Sequence, residues 1–188
     1  QYCYLNARTQ AFREADLFLV IGTRVNYVLN NLQTPRFNAE AKIVRIDVDP
    51  AEVASTPRLN VGLVGDARRV LEQLAQACKG HVKAEAFADW RKALSDSHAQ
   101  RSSKQESLLN SDQTPIHPLR LCKEVRDFID RDAVLVVDGQ EILNFGRQSI
   151  PSFRPGHRIN SGTFGTMGVG LPYALGAQVA LPDTQVIC

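Results

Sequence analysis

The sequence predicts an α/β fold: two parallel-sheet domains with helices on both faces, both incomplete. Three observations carry that prediction. Short apolar runs at 15–21, 42–48 and 133–137 each close on Gly or Asp, the pattern of strands buried on both sides. Stripes at helical spacing lie between such runs, one through Val70, Leu71, Leu74 and Cys78, another through Leu121, Cys122, Val125, Phe128 and Ile129. A stretch rich in Lys, Glu, Ser and Gln at 84–113 separates two such alternations. The domains are therefore expected at 1–80 and 114–188, with a connecting helix and linker over 81–113.

The first residues read as a helix running into a strand. The run at 15–21 is apolar after Asp16 and ends at Gly22. A second strand covers 42–48 and stops at Asp49-Pro50, because proline cannot continue a ladder. Residues 51–53 continue as a turn. Leu63-Val64 is a short third run before Gly65-Asp66, and Asp66 caps a helix that Gly80 ends. Phe87, Trp90 and Leu94 mark an amphipathic connecting helix whose stripe fades near Ser102, and 111–115 is a linker. Pro118 suits the first turn of the next helix. The strand at 133–137 ends at Asp138-Gly139-Gln140, and a short helix follows through Ile142, Phe145 and Gly146. The chain stops at Gln185-Val186-Ile187-Cys188, inside an apolar strand, and so reads as a fragment.

Ligands of parallel sheets sit off the carboxyl ends of the strands. Gly22-Thr23-Arg24, Asp47 and Gly65-Asp66 fall at three such ends. A nucleotide is one reading: aspartate accepts from ribose hydroxyls, and Arg24 pairs with phosphate. The other makes Asp49 and Asp66 turn and cap residues and Arg24 a surface charge.

Residues 160–176 are the most unusual stretch. Gly162, Gly165, Gly168, Gly170 and Gly176 crowd together without any charge, and Ala174 and Ala177 continue at helical spacing. Glycine costs backbone entropy and packs nothing, so such a run marks a close approach to a ligand or to another backbone. One reading is a tight turn before a buried helix. The other is a ligand cradle, with unpaired N–H groups at the helix start. Asp138-Gly139-Gln140 is a second strand–glycine–helix unit and a candidate anion site. Glu141 beside it would repel an anion unless it points away.

The 188 residues carry a net charge of +2, so no basic field argues for nucleic acid or a membrane surface. No run approaches the roughly 20 apolar residues of a bilayer span. Cys3, Cys78, Cys122 and Cys188 are scattered without zinc spacing and read as reduced thiols. His117 and His157 read as ordinary surface or loop residues.

The segment Gly162-Thr163-Phe164-Gly165-Thr166-Met167-Gly168-Val169-Gly170-Leu171 closely resembles the thiamine diphosphate (ThDP) enzymes of the acetolactate synthase, oxalyl-CoA decarboxylase, benzaldehyde lyase and 2-hydroxyacyl-CoA lyase group. The resemblance covers nearly the whole chain and implies the ThDP-binding fold. It assigns Gly165, Thr166 and Met167, the sole methionine, to the aminopyrimidine ring, with Met167 wedged beneath the bent cofactor. It assigns Gly139 and Gln140 to the diphosphate. In the first domain it assigns Gly22, Arg24, Asp47 and Asp66 to a nucleotide. Arg24-Val25-Asn26-Tyr27-Val28-Leu29 is most similar to the lyases and oxalyl-CoA decarboxylases, which implies an ADP or CoA moiety in preference to FAD. Gly146-Arg147 is similar to the lyases.

The family's magnesium ligands and catalytic glutamate lie outside this stretch, so no catalytic or metal residue is expected within it, and the fragment alone is expected to be inactive. The implied protein is a cytoplasmic homo-oligomer, a dimer or tetramer. It would be a 2-hydroxyacyl-CoA lyase acting on an acyl-CoA, with Mg2+ and ThDP as cofactors. The alternatives are an acetolactate synthase-like enzyme acting on a 2-oxo or 2-hydroxy acid, and a non-enzymatic nucleotide-binding module.

Overall fold

The computed structural model describes residues 7–188; Cys3 lies outside them. The chain divides into two compact units between Ala99 and Gln100.

In the first unit α1 (Arg8–Glu14) leads into β1 (Leu17–Ile21). A 3-10 segment covers Tyr27–Leu32, followed by β2 (Lys42–Asp47), α2 (Pro50–Ala54), β3 (Val61–Val64) and α3 (Ala67–Cys78). The strands form a parallel sheet in the order β1-β2-β3, with Leu17 opposite Lys42 and Val44 opposite Val61. The central strand is the most buried, through Ile43, Arg45 and Ile46. Val20, Leu32, Phe37 and Ile43 form the core, with Phe12, Phe18, Val25 and Leu29 packed against it. Phe12 stacks on Phe37 with centroids 4.4 Å apart, and Phe18 meets Phe37 edge-on at 5.2 Å, geometries that add to plain area burial. Leu17 and Leu19 of β1 are exposed, so the expected cover on both faces is open along one face of β1 among the described residues.

The expected turn after Pro50 is a helix instead. Asp49 Oδ1 accepts from the Ala51 N–H at 2.8 Å, and Pro50 occupies the first helical turn, where its missing N–H costs nothing. Asp66 caps α3 as expected, accepting from Arg69 N at 3.0 Å. The connecting stretch holds α4 (Ala88–Leu109). It continues past Ser102, where the apolar stripe has gone, because helix formers such as Lys104, Gln105, Glu106 and Leu108 sustain it. Leu94 and Leu109 are its buried positions.

The second unit contains α5 (Pro118–Phe128), β4 (Val134–Val136), α6 (Gln140–Ser149), β5 (Arg158–Ile159), α7 (Gly170–Ala180) and β6 (Val186–Ile187). Its strands are parallel in the order β5-β4-β6. Cys122, Leu135 and Ile150 form the core, ringed by Val125, Ile129, Val137, Ile142, Phe145 and Ile187. The stripe of α5 differs from expectation: Leu119 and Cys122 are buried, whereas Leu121 and Phe128 are exposed. Pro118 sets the helix start, and the phase that follows turns 119, 122 and 125 inward.

Two loop histidines each make a defined hydrogen bond. His117 Nδ1 accepts from the Leu119 N–H at 3.1 Å and caps α5. The His157 ring donates from Nδ1 to the Asp132 carbonyl at 2.7 Å, and the His157 carbonyl accepts from Leu135 N at 2.8 Å. The second bond helps to bring β5, too short and polar to show a period in the sequence, against β4.

Candidate functional site

In the second unit the chain leaves β4 at Asp138 and turns at Gly139, whose φ is +101°. Gln140 and Glu141 then open α6, whose start carries no side-chain cap. Its first backbone N–H groups and the positive end of its dipole suit an anionic oxygen. Glu141 is exposed in that first turn.

The glycine-rich segment comes to the same strand end. Asn160 Oδ1 accepts from Gly162 N at 2.8 Å and starts a short 3-10 turn over Gly162–Phe164. Gly165 follows in the left-handed region. Thr166, Met167 and Phe164 are exposed, Met167 by 76% and Phe164 by 93%. The segment is held from below by Asp138, whose Oδ2 accepts from both Gly168 N and Gly170 N at 2.9 Å. The structure therefore places the loop containing Gly165, Thr166 and Met167 beside the strand end that leads into Gly139 and Gln140. The expected buried helix is corrected in part. Ala174 and Ala177 are half-buried where α7 packs on β4 and β6. Leu171, Leu175 and Val179 on its outer side are exposed.

In the first unit Gly22, Asp47 and Asp66 stand at the carboxyl ends of β1, β2 and β3. The Gly22 N–H donates to the Ile46 carbonyl at 3.0 Å, and the Gly65 N–H donates to that of Asp47 at 2.9 Å. Arg24 is largely exposed and lies 3.5 Å from Glu52. Asp47 accepts from Arg45 Nη2 at 2.6 Å and from Asp49 N at 3.2 Å. Asp66 is occupied in capping α3. Asn26 Oδ1 accepts from Val28 N at 3.0 Å and opens the 3-10 segment.

Sequence reasoning missed two residues. Arg45 is fully buried and donates to the Thr23 carbonyl as well as to Asp47, with Glu52 3.4 Å away. The available signal was an arginine two positions before an aspartate in an apolar strand, a spacing that puts both on one face. In the sequence Asp138 marks only a strand end. Its two amide partners lie 30 and 32 positions away, and no local pattern marks them.

The described residues include no group of three or more His, Cys, Asp or Glu that could hold a metal ion, and no helix long and apolar enough to cross a membrane.

Comparison with known proteins places both units. Residues 4–74 match the model of the central domain of thiamine pyrophosphate enzymes, and residues 143–188 match that of their C-terminal TPP-binding domain. The 2-hydroxyacyl-CoA lyase 1 of Mus musculus is 30% identical over 99% of this chain and 33% of its own length. The oxalyl-CoA decarboxylase of Escherichia coli (strain K12) is 29% identical over 92% of this chain and 31% of its own. The acetolactate synthase isozyme 3 large subunit of the same strain is 31% identical over 93% and 30%. The chain thus spans about a third of the length of the curated relatives it matches.

Proposed function

We propose, for a chain that belongs to the thiamine pyrophosphate enzyme family, that it forms the cofactor-holding part of a lyase that splits 2-hydroxyacyl-CoA into an aldehyde or ketone and formyl-CoA. The observation that carries this reading is the Asp138-anchored loop beside the uncapped start of α6. The residues fit the cofactor: backbone N–H groups at Gly139 and Gln140 would meet the diphosphate. The Gly165 carbonyl and Met167 N–H would hold the ring, with Thr166 between them and the Met167 side chain beneath. When bound, thiamine diphosphate supplies the electron sink that lets a carbon–carbon bond beside a carbonyl break. Gly139 and Gln140 would orient its charged end, and the apolar Met167 side chain would support the other. We assign magnesium to the diphosphate, with no ligand among the described residues.

Gly22, Arg24, Asp47 and Asp66 would bind the ADP moiety of CoA. The exposed Arg24 guanidinium supports this, because it can exchange its 3.5 Å surface pair with Glu52 for a phosphate. We place the protein in the cytoplasm as a homo-oligomer, dimer or tetramer. The exposed Leu171, Leu175 and Val179 support a partner surface. The domain limits follow as 1–80, 81–113 and 114–188.

The test is to incubate the full-length protein with a 2-hydroxyacyl-CoA, thiamine diphosphate and magnesium and to assay formyl-CoA. Formation of formyl-CoA dependent on thiamine diphosphate is expected; its absence with tight cofactor binding would reject the lyase. A second reading, an acetolactate synthase-like enzyme, is favoured by the similarity to that subunit. Pyruvate condensation and bound flavin would identify it.

A further inference from the structure

A loop whose side chains face outward has few contacts of its own to fix its shape, and the segment 162–168 is exposed throughout. It is tied to the sheet through its last amides. Asp138 Oδ2 accepts from Gly168 N and Gly170 N, each at 2.9 Å, across 30 and 32 positions of sequence. These are charge-assisted bonds, roughly twice as strong as neutral ones. Val169, the residue before α7, offers no side-chain cap, so a carboxylate from a distant strand does that work. The fit is tight: a Cβ on Gly170 would lie 2.7 Å from Asp138 Cβ and 2.9 Å from Cys188 Sγ. The other carboxylate oxygen, Oδ1, is buried and has no hydrogen-bond partner among the described residues. A group held at that desolvation cost has its return in the two amides it fixes.

We propose that Asp138 is the positioning residue for the cofactor loop at 165–167, a role that builds on the thiamine diphosphate reading above. It sets where the Gly165 carbonyl and the Met167 amide stand by holding the backbone just beyond them, and it need not touch the cofactor.

The test compares Asp138→Ala with Asp138→Asn in the full-length protein. Hydrogen–deuterium exchange of the peptide covering 160–172 reads the loop, and calorimetric titration with thiamine diphosphate and magnesium reads the site. Asp138→Ala should speed exchange in that peptide and weaken cofactor affinity by at least about tenfold, the equivalent of about 1.4 kcal/mol. Asp138→Asn keeps an oxygen that accepts both amides and should restore both readouts to within about threefold of the parent. Gly170→Ala keeps the carboxylate but forces the loop off it, and should reproduce the Asp138→Ala pair of effects. It provides a second test if Asp138→Ala does not fold.

Parent-like exchange in both Asp138→Ala and Gly170→Ala would overturn the clamp. Faster exchange with unchanged affinity would overturn its role in positioning. If the parent protein itself fails to bind thiamine diphosphate, the functional reading falls, while faster exchange in Asp138→Ala would still support the clamp.

Discussion

Arg45 Nη2 donates to Asp47 Oδ2 at 2.6 Å, and the arginine has no exposed surface while the aspartate keeps a little. The two stand two positions apart on one face of β2. Arg45 also holds the Thr23 carbonyl in the loop after β1, so the pair ties together two of the strand ends proposed for the nucleotide. Removing one partner of a buried pair leaves the other charge uncompensated. Glu52 Oε2, 3.4 Å from Arg45 Nη2, remains as a partner after Asp47→Ala, so that variant should destabilise the first unit by about 1–3 kcal/mol. Arg45→Met should cost less, because Asp47 can turn to water. Urea unfolding followed through Trp90 measures both, and the reverse order would show that the arginine is held by packing instead.

Arg24 offers the opposite case. It is largely exposed, and its 3.5 Å pair with Glu52 is of the surface kind that contributes little. Arg24→Ala should leave stability within about 0.5 kcal/mol. It should weaken ADP or CoA binding about tenfold if its guanidinium meets phosphate. Calorimetry with ADP decides, and unchanged affinity would remove Arg24 from the nucleotide site.

Met167 is also more exposed than a core methionine. Met167→Gly should change the unfolding free energy by no more than about 0.5 kcal/mol while lowering both thiamine diphosphate affinity and turnover of the full-length protein. Met167→Leu, similar in volume and apolar, should retain most of both. If the glycine variant binds and turns over like the parent, the side chain has no part in shaping the cofactor.

Most of both sheets could be read in the sequence because strand and turn signals agreed: the runs at β1, β2 and β4 close on Gly22, Asp49-Pro50 and Asp138. The start of α3 was equally plain, since Asp66 caps it through a bond only three positions long. What escaped notice depends on distance or on phase. β5 has two residues and pairs with a strand more than twenty positions earlier. The inward face of α5 hinges on where Pro118 starts the helix, and a shift of two positions exchanges Leu121 for Leu119. An arginine in a strand reads as surface until its partners from Thr23, Asp47 and Glu52 are assembled around it. The glycine loop and the start of α6 were recognisable one by one, but the carboxylate that joins the loop to the sheet was not.

Cys122 gives a pH dependence. Burial pushes its thiol above the ordinary value of 9.0, while a hydrogen bond with Ser149 and the charge of Arg158 work the other way. The folded state therefore holds this proton more tightly than the unfolded state does. The stability it contributes is fully present below about pH 9, the unfolded thiol value, and is lost as pH rises through the higher folded value. Cys122→Val should flatten that alkaline fall in urea midpoints measured from pH 8 to 10. In the native parent at pH 8, iodoacetamide should label the exposed Cys78 and Cys188 and spare Cys122. An identical alkaline slope in the valine variant would assign the fall to other groups.

Gly139 joins the fold to the site most directly. Its φ of +101° lies where side chains carry a penalty. A Cβ there would meet Ile142 Cγ2 at 3.6 Å, an ordinary contact, so space is not the obstacle and the cost is in the backbone alone. Gly139→Ala should destabilise by about 1–3 kcal/mol or relax by rotating the first turn of α6. Either route disturbs the N–H groups proposed for the diphosphate, so cofactor affinity should fall with stability. Gly176→Ala is the control. It sits within α7 with nothing within 4 Å of an added Cβ, and should stabilise by about 0.5–1 kcal/mol. Thermal unfolding with and without thiamine diphosphate separates the two effects. For Gly139→Ala the cofactor-induced rise in Tm should shrink, whereas for Gly176→Ala it should match the parent. An undiminished rise in the Gly139 variant would mean that the diphosphate is held somewhere other than the start of α6.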